Sequence, residues 1–350
     1  MTTSAHPRPD AAAVHSPRRR PVRARALWLV AAVLVLAALA LASLAFGSRD
    51  VAWSDVWAAL HGADATLEQA AASKRIPRTL LAALIGGALG LAGAVMQGVT
   101  RNPLADPGIL GVTMGASLAV AIAVAYFGLV SPIGYIWVAM AGAALSAAFV
   151  YGVASLGRGG ATPLKLALAG AATSAAFVSL VTAITLPRGD IAGSLRLWHV
   201  GGLGGASFER IGHVLPFLAV GFAICLLSGK ALNSLALGDE LAAGLGTRVA
   251  VVRGGAALGS IVLCGAATAV TGPIGFVGLV VPHACRLLVG VDHRWLLPFC
   301  AVVGAALLTA ADVVGRVVAR PAEIDVGIVT ALIGAPFFVW IVRRQKVRAL

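Results

Sequence analysis

Charge is scarce in this 350-residue chain. Asp, Glu, Lys and Arg make up 12% of it, about half the roughly 25% of a soluble globular protein. Residues 26–48, 79–100, 107–157, 166–187, 211–229 and 254–285 contain no charged side chain at all. This excludes a disordered chain and a soluble enzyme. Cysteine is equally sparse. Cys225, Cys264, Cys285 and Cys300 lie in or beside apolar runs without CxxC spacing, which excludes a disulfide scaffold and reads as small apolar packing. The long runs do not alternate with a period of two, so an outer-membrane barrel is also excluded. No His/Cys/Asp/Glu cluster has metal-ligand spacing.

Apolar residues fill what remains, at 59% with a mean hydropathy of +0.93. A helix crossing a bilayer needs about 20 mostly apolar residues, so several uncharged stretches each hold a span. The sequence predicts an all-α polytopic membrane protein with about ten transmembrane helices. They fall near residues 26–46, 76–99, 111–130, 134–157, 165–186, 210–229, 250–271, 274–291, 296–318 and 326–342. Ser131-Pro132-Ile133-Gly134 and Gly272-Pro273-Ile274-Gly275 divide the longest runs. Residues 1–25 read as a disordered basic cytoplasmic tail and 26–350 as one ten-helix membrane domain. An even helix count with the N-terminus inside puts both termini in the cytoplasm. The basic residues then favour the inner side about two to one, as positive-inside bias requires. The excess of 27 basic over 14 acidic residues is explained by that bias rather than by nucleic-acid binding.

Ionisable residues at mid-membrane depth mark ion-coupling sites, and few are present. Asp312 is the main exception, and it stands four residues before Arg316, the spacing of a local ion pair on one helix face. With no chain of acids across the bilayer, an ion-gradient carrier has little to work with. Gly86-Gly87-Ala88-Leu89-Gly90-Leu91-Ala92-Gly93 places small residues at helical spacing, which lets backbones approach closely.

Other segments are more specific. Arg75-Ile76-Pro77-Arg78-Thr79-Leu80 leads through Gly93-Ala94-Val95-Met96-Gln97-Gly98 to Asn102-Pro103-Leu104-Ala105-Asp106-Pro107-Gly108. Leu237-Gly238-Asp239-Glu240-Leu241-Ala242-Ala243-Gly244-Leu245-Gly246 follows, then Gly272-Pro273-Ile274-Gly275-Phe276-Val277-Gly278 with Pro282-His283 and Arg286. Ala311-Asp312, Arg316, Pro321-Ala322-Glu323-Ile324-Asp325-Val326-Gly327 and Gly334-Ala335-Pro336-Phe337-Phe338 complete the set. From about residue 26 to the end, these motifs in this order resemble the FecCD family, permease subunits of ABC importers for ferric siderophores, haem and cobalamin. Asp325 departs from the resemblance, because the family usually has Pro there.

The resemblance implies a cobalamin-permease-like importer fold in a bacterial inner membrane and two permease subunits, identical or paralogous. It also implies an extracytoplasmic substrate-binding protein and ABC ATPase subunits. The chain has no GxxxxGK[ST] phosphate loop, so it is expected to be no enzyme and to hold no cofactor, with ATP and Mg used by the partner ATPase. Residues of about 230–250 resemble the loop that couples to the ATPase, assigning Leu237, Gly238, Asp239, Glu240, Ala242, Ala243 and Gly246 to that contact. Small residues there would permit close approach to a groove, with the acids at its rim. Arg75, Arg78 and Arg316 match arginines that pair with acidic residues of the binding protein, where rim charges steer docking. Arg320 and Arg196 are weaker candidates. Asn102 to Pro107 reads as a rigid elbow, and His283 and Arg286 as groups that satisfy helix-end carbonyls. Iron is expected to cross inside its chelator. Cobalamin or haem is the alternative cargo. An ion-coupled secondary transporter is a less favoured class, and a membrane enzyme the least.

Overall fold

The computed structural model describes residues 21–156, 162–189, 193 and 198–344. Every regular element among them is helical. In chain order these are α1 (Val22–Ala45), α2 (Trp53–Leu60), α3 (Leu67–Thr100), α4 (Val112–Phe127), α5 (Pro132–Ser155) and α6 (Pro163–Thr185). They continue with α7 (Phe208–Leu227), α8 (Gly229–Leu235), α9 (Asp239–Gly244), α10 (Val249–Thr271), α11 (Val277–Val289), α12 (His293–Val318) and α13 (Val326–Arg344). The described residues include 7 helices long and apolar enough to cross a membrane: α1, α3, α5, α6, α7, α10 and α12. The other three expected spans coincide with shorter apolar helices, Val112–Phe127, Val277–Val289 and Val326–Trp340.

The local sequence explains these shorter lengths. Gly111 in the left-handed region opens α4 and Gly128 closes it. Before α11, the chain passes through Gly272 at φ 71 and Phe276 at φ 67, so the continuous apolar run of 254–285 breaks into two helices at Gly-Pro-Ile-Gly. α1 begins at Val22, ahead of the expected boundary at 26. Its Arg25 is buried and reaches Asp292, the residue that caps α12. Residues 1–20 of the expected tail lie outside the described residues.

α3 is the axis of the fold. Its 34 residues extend about 51 Å at 1.5 Å per residue, well beyond a ~30 Å hydrocarbon core. It packs on α12, α10, α11, α7, α2 and α1, while α4 packs on α5 and α6 and α10 joins the two groups. The glycines of α3 permit these approaches. A Cβ on Gly86 would stand 2.3 Å from the Gly304 carbonyl oxygen of α12, and one on Gly93 would stand 2.1 Å from that of Gly278 in α11. Backbone thus meets backbone at two levels along one face of α3, the small-residue packing that apolar solvent favours. The four cysteines are buried and unpaired.

Candidate functional site at the two ends of α3

Near its N-terminal end α3 presents Arg75 and Arg78, and the next link is α1. A helix C-terminus leaves its last carbonyls without partners. Here two arginines from other helices supply them. Arg75 donates to the carbonyls of Leu44 (3.0 Å) and Ala45 (2.8 Å), and through its other terminal nitrogen to that of Arg49 (2.6 Å). Arg316 of α12 donates to the Ser43 and Phe46 carbonyls at 3.1 and 3.2 Å and to Ser43 Oγ at 2.6 Å. Ser43 Oγ is also 2.6 Å from Thr79 Oγ1.

The ion pair expected between Asp312 and Arg316 is present, with Nε 3.0 Å from Oδ2. Asp312 also receives Arg78, whose Nε and Nη2 lie 3.0 and 2.9 Å from Oδ1. Arg78 Nη1 then reaches Glu323 Oε2 at 2.7 Å, and Ser48 Oγ donates to Glu323 Oε1 at 2.9 Å. Burial raises the Glu323 carboxyl. The bond from Arg78, its charge, the Ser48 bond and Arg316 more than offset this, so it titrates below the usual glutamate range.

Arg316 and Asp312 are 2% and 1% exposed, and Arg75 is also buried. Neither Arg75 nor Arg316 therefore presents its guanidinium at the surface in this conformation. Both face inward because unpaired helix-end carbonyls in an apolar bundle need donors. Arg78 is part-buried and shared between two carboxylates. Among the described residues, the exposed cations at this end are Arg49, Lys74 and Arg320, and Arg320 pairs with the exposed Asp50 at 2.8 Å. Arg49 and Lys74 had no docking signal in sequence beyond their charge. Arg196 lies outside the described residues.

The opposite end of α3 turns at Arg101, a non-glycine residue at φ 51. The elbow that follows forms as its sequence suggests. Asn102 Oδ1 accepts from Leu104 N–H at 2.9 Å, and Asp106 Oδ1 accepts from Gly108 N–H at 2.8 Å. Burial lifts the Asp106 carboxyl, against the opposing Gly108 bond.

Beside this elbow the segment expected to couple forms two short helices, α8 and α9. Its side chains divide into two sets. Ala242 is fully buried against its own chain in this conformation, whereas a groove contact would need it exposed. Ala243 and Gly246 are exposed, as is Glu240. Leu237, Leu241 and Leu245 are 57%, 63% and 67% exposed. Leu245 N–H donates to the Leu241 carbonyl at 3.0 Å, so these two stand one turn apart on one helical face, while Leu237 precedes the turn at Gly238. Leu241 and Leu245 escaped the sequence reading, because in so apolar a chain a leucine carries no signal until its exposure is known.

Asp239 turns the other way. Its carboxylate pairs with Arg253 of α10 at 3.0 Å and with Arg101. Slight burial opposes ionisation, but the charges and hydrogen bonds of Arg253 and then Arg101 hold its pKa below the usual aspartate range. Gly238, at φ 112, supplies the turn that starts α9. His283 and Arg286 make no hydrogen bond to helix-end carbonyls among the described residues. The α11 terminus instead closes through Gly290 N–H to the Arg286 carbonyl at 3.0 Å, with Gly290 at φ 85.

A helical membrane bundle with an arginine-lined end and exposed leucines at the other is matched by known proteins over most of its length. The iron(3+)-hydroxamate import system permease FhuB of Bacillus subtilis (strain 168) is 42% identical over 302 residues, covering 86% of this chain and 78% of that protein. The ferric enterobactin transport system permease FepD of Escherichia coli (strain K12) is 44% identical over 271 residues, covering 77% and 81%. Permeases named for hemin and cobalamin import fall in the same range of identity. Among solved structures, an inward-facing conformation of a metal-chelate type ABC transporter superposes with a TM-score of 0.80 at 30% identity. It covers 92% of this chain and 100% of its own. The FecCD transport family matches residues 34–344, so the chain belongs to that family and is a multi-pass permease subunit of an ABC importer, not itself an enzyme.

Proposed function

We propose that the cargo is a ferric siderophore, carried into the cytoplasm with the metal inside its chelator, and that ATP and Mg are used in partner ATPase subunits. The two permease relatives described above, named for ferric hydroxamate and ferric enterobactin, support that cargo. The single observation that carries the coupling mechanism is the exposure of Leu237, Leu241 and Leu245 around the exposed Glu240. Burying a leucine is worth about 1.5–3 kcal/mol, so Leu241 and Leu245 on one face, with Leu237 beside the preceding turn, form an apolar anchor for a partner's groove, the helix-in-groove mode. Glu240 and Ala243 border that contact, while Gly238 and Gly246 provide its turns. This end of α3 is the cytoplasmic one in our reading, and both termini lie on that side.

At the other end, a substrate-binding protein docks from outside the membrane. The exposed Arg49, Lys74 and Arg320 steer it, and Arg75, Arg78 and Arg316 act from beneath by fixing the segment that carries Arg49. A second permease subunit, a copy of this chain or a paralogue, completes the channel. ATP-driven movement of α9 then opens it alternately to each side. Cobalamin or haem is the second reading of the cargo, favoured by the relatives that carry those names.

The test is uptake into proteoliposomes holding the permease and its ATPase, with ATP enclosed, ion gradients collapsed and binding protein outside. Ferric hydroxamate, ferric catecholate, haemin and cobalamin are compared in parallel. Uptake of a ferric siderophore that needs internal ATP and weakens in Glu240→Ala supports the reading. ATP-dependent uptake of cobalamin or haemin alone changes the cargo and keeps the mechanism. Transport that ignores ATP and follows a proton or sodium gradient refutes it.

A further inference from the structure

An α9 of six residues is too short to hold its own conformation or direction, since isolated helices below about 12 residues are marginal in water. Its flanks do not hold it either. Gly238 and Gly246 both have positive φ, and a Cβ at either would meet nothing within 4 Å, so each end is a turn in open space. Two features fix α9 against the bundle. One is Ala242, buried on its inner side. The other is the Asp239 carboxylate, which meets guanidiniums from two separate helices. Arg253 Nη2 donates to its two oxygens at 3.0 and 3.3 Å, and Arg101 reaches it from the end of α3. Glu240, one residue further on, makes no ion pair among the described residues and points away from the bundle. The two neighbouring acids therefore have different work.

Arg101 is the link that matters for distance. It is the residue on which α3 terminates, held in a left-handed conformation that non-glycine residues seldom adopt. Arg75, at the other end of α3, stands 26 positions earlier, about 39 Å along the axis. Between the two arginines α3 runs as one helix with Pro77 inside its first part, almost wholly buried from Leu81 onward, and it touches α11 and α12 through glycine backbone. Gln97 Nε2 donates to the Gly278 carbonyl at 3.2 Å and Ser260 Oγ to the Ala92 carbonyl at 2.9 Å, so α3 moves together with α11 and α10 as one body.

We infer that Asp239 is a positioning residue that latches α9 to Arg101, so that movement imposed on α9 travels along α3 to the arginine rim around Asp312 and Glu323. The inference rests on α9 being the ATPase-facing segment. It adds the route by which that segment reaches the opposite side. Arg253 braces the same carboxylate from α10 and keeps it turned inward.

The experiment uses the full chain in nanodiscs with its ATPase bound. Spin labels are placed on Ala65→Cys and Ala322→Cys, exposed positions beside the rim, while the four native cysteines are buried. ATP with vanadate changes the label separation in the otherwise unaltered protein. Asp239→Asn and Arg101→Gln each lower the shifted fraction about two- to five-fold, the range of an exposed ion pair. The double variant does no worse than either alone, as two halves of one contact require, and Asp239→Glu restores the shift. ATPase co-purification is read in parallel, and a loss of shift that only mirrors lost ATPase binding in Asp239→Asn overturns the latch. A full shift in Asp239→Asn with the ATPase bound overturns the latch, as does an unaltered protein that binds the ATPase and shows no shift. Leu241→Asp with Leu245→Asp tests the underlying reading separately. If the ATPase remains bound to that variant, α9 is not the docking segment, whatever Asp239 does.

Discussion

Replacing Asp312 by Asn removes one charge, keeps the side-chain shape, and should destabilise the protein more than any other single carboxylate change. Asp312 is 1% exposed and sits between Arg78 and Arg316. Removing one member of a buried ion pair costs about 3–5 kcal/mol, because the charge left behind stays desolvated. Neither guanidinium is fully orphaned here. Arg316 keeps its bonds to Ser43 and Phe46, and Arg78 keeps Glu323. The expected loss is therefore at the lower end, about 3 kcal/mol, or a fall in melting temperature of about 5 °C or more. Thermal unfolding of the detergent-solubilised protein, followed by loss of the monodisperse chromatographic peak, measures it. Asp50→Asn is the control, since Asp50 is 90% exposed in its pair with Arg320 and exposed pairs contribute little. If Asp312→Asn melts with Asp50→Asn and the parent protein, the network around Asp312 is not holding α1 and α12 together and the reasoning fails.

Other outcomes follow from the same geometry. Gly93→Ala places a methyl 2.1 Å from the Gly278 carbonyl oxygen; α3 and α11 must part, at a cost toward or above the ~1–3 kcal/mol of overpacking. Gly254→Ala, where a Cβ meets nothing within 4 Å, should instead gain up to about 1 kcal/mol of helix propensity, and the two melting curves should separate in opposite directions. Leu241→Asp should weaken ATPase co-purification at least tenfold, because it replaces about 1.5 kcal/mol or more of apolar burial with a charge; unchanged recovery would remove α9 from the contact. Glu323 ionises more readily folded than unfolded. Its contribution is therefore complete above its ordinary pKa of 4.5 and is lost as pH falls through the lower folded value. Glu323→Gln should thus melt below the parent protein at pH 7 and pH 6 alike, with the gap closing only in acid below the usual glutamate range.

The sequence by itself determined the solvent of this protein and most of its helices, because uncharged runs of 20 residues have no stable place outside a bilayer. It also determined the elbow at Asn102–Asp106 and the Asp312–Arg316 pair, both set by contacts within four residues. The direction of each charged side chain was another matter. Arg75, Arg78 and Arg316 look alike as basic residues near helix ends. Only the tertiary structure shows two of them turned inward onto the carbonyls that end α1, a demand created by a helix distant in sequence. The same holds at the other end of α3. Asp239 and Glu240 are adjacent acids, yet α10 and the end of α3 bring arginines to one and leave the other outside. Exposed Leu241 and buried Ala242 are separated by the rotation of a six-residue helix. A pattern so uniformly apolar fixes no rotation, so only packing against the bundle could decide which face remained free.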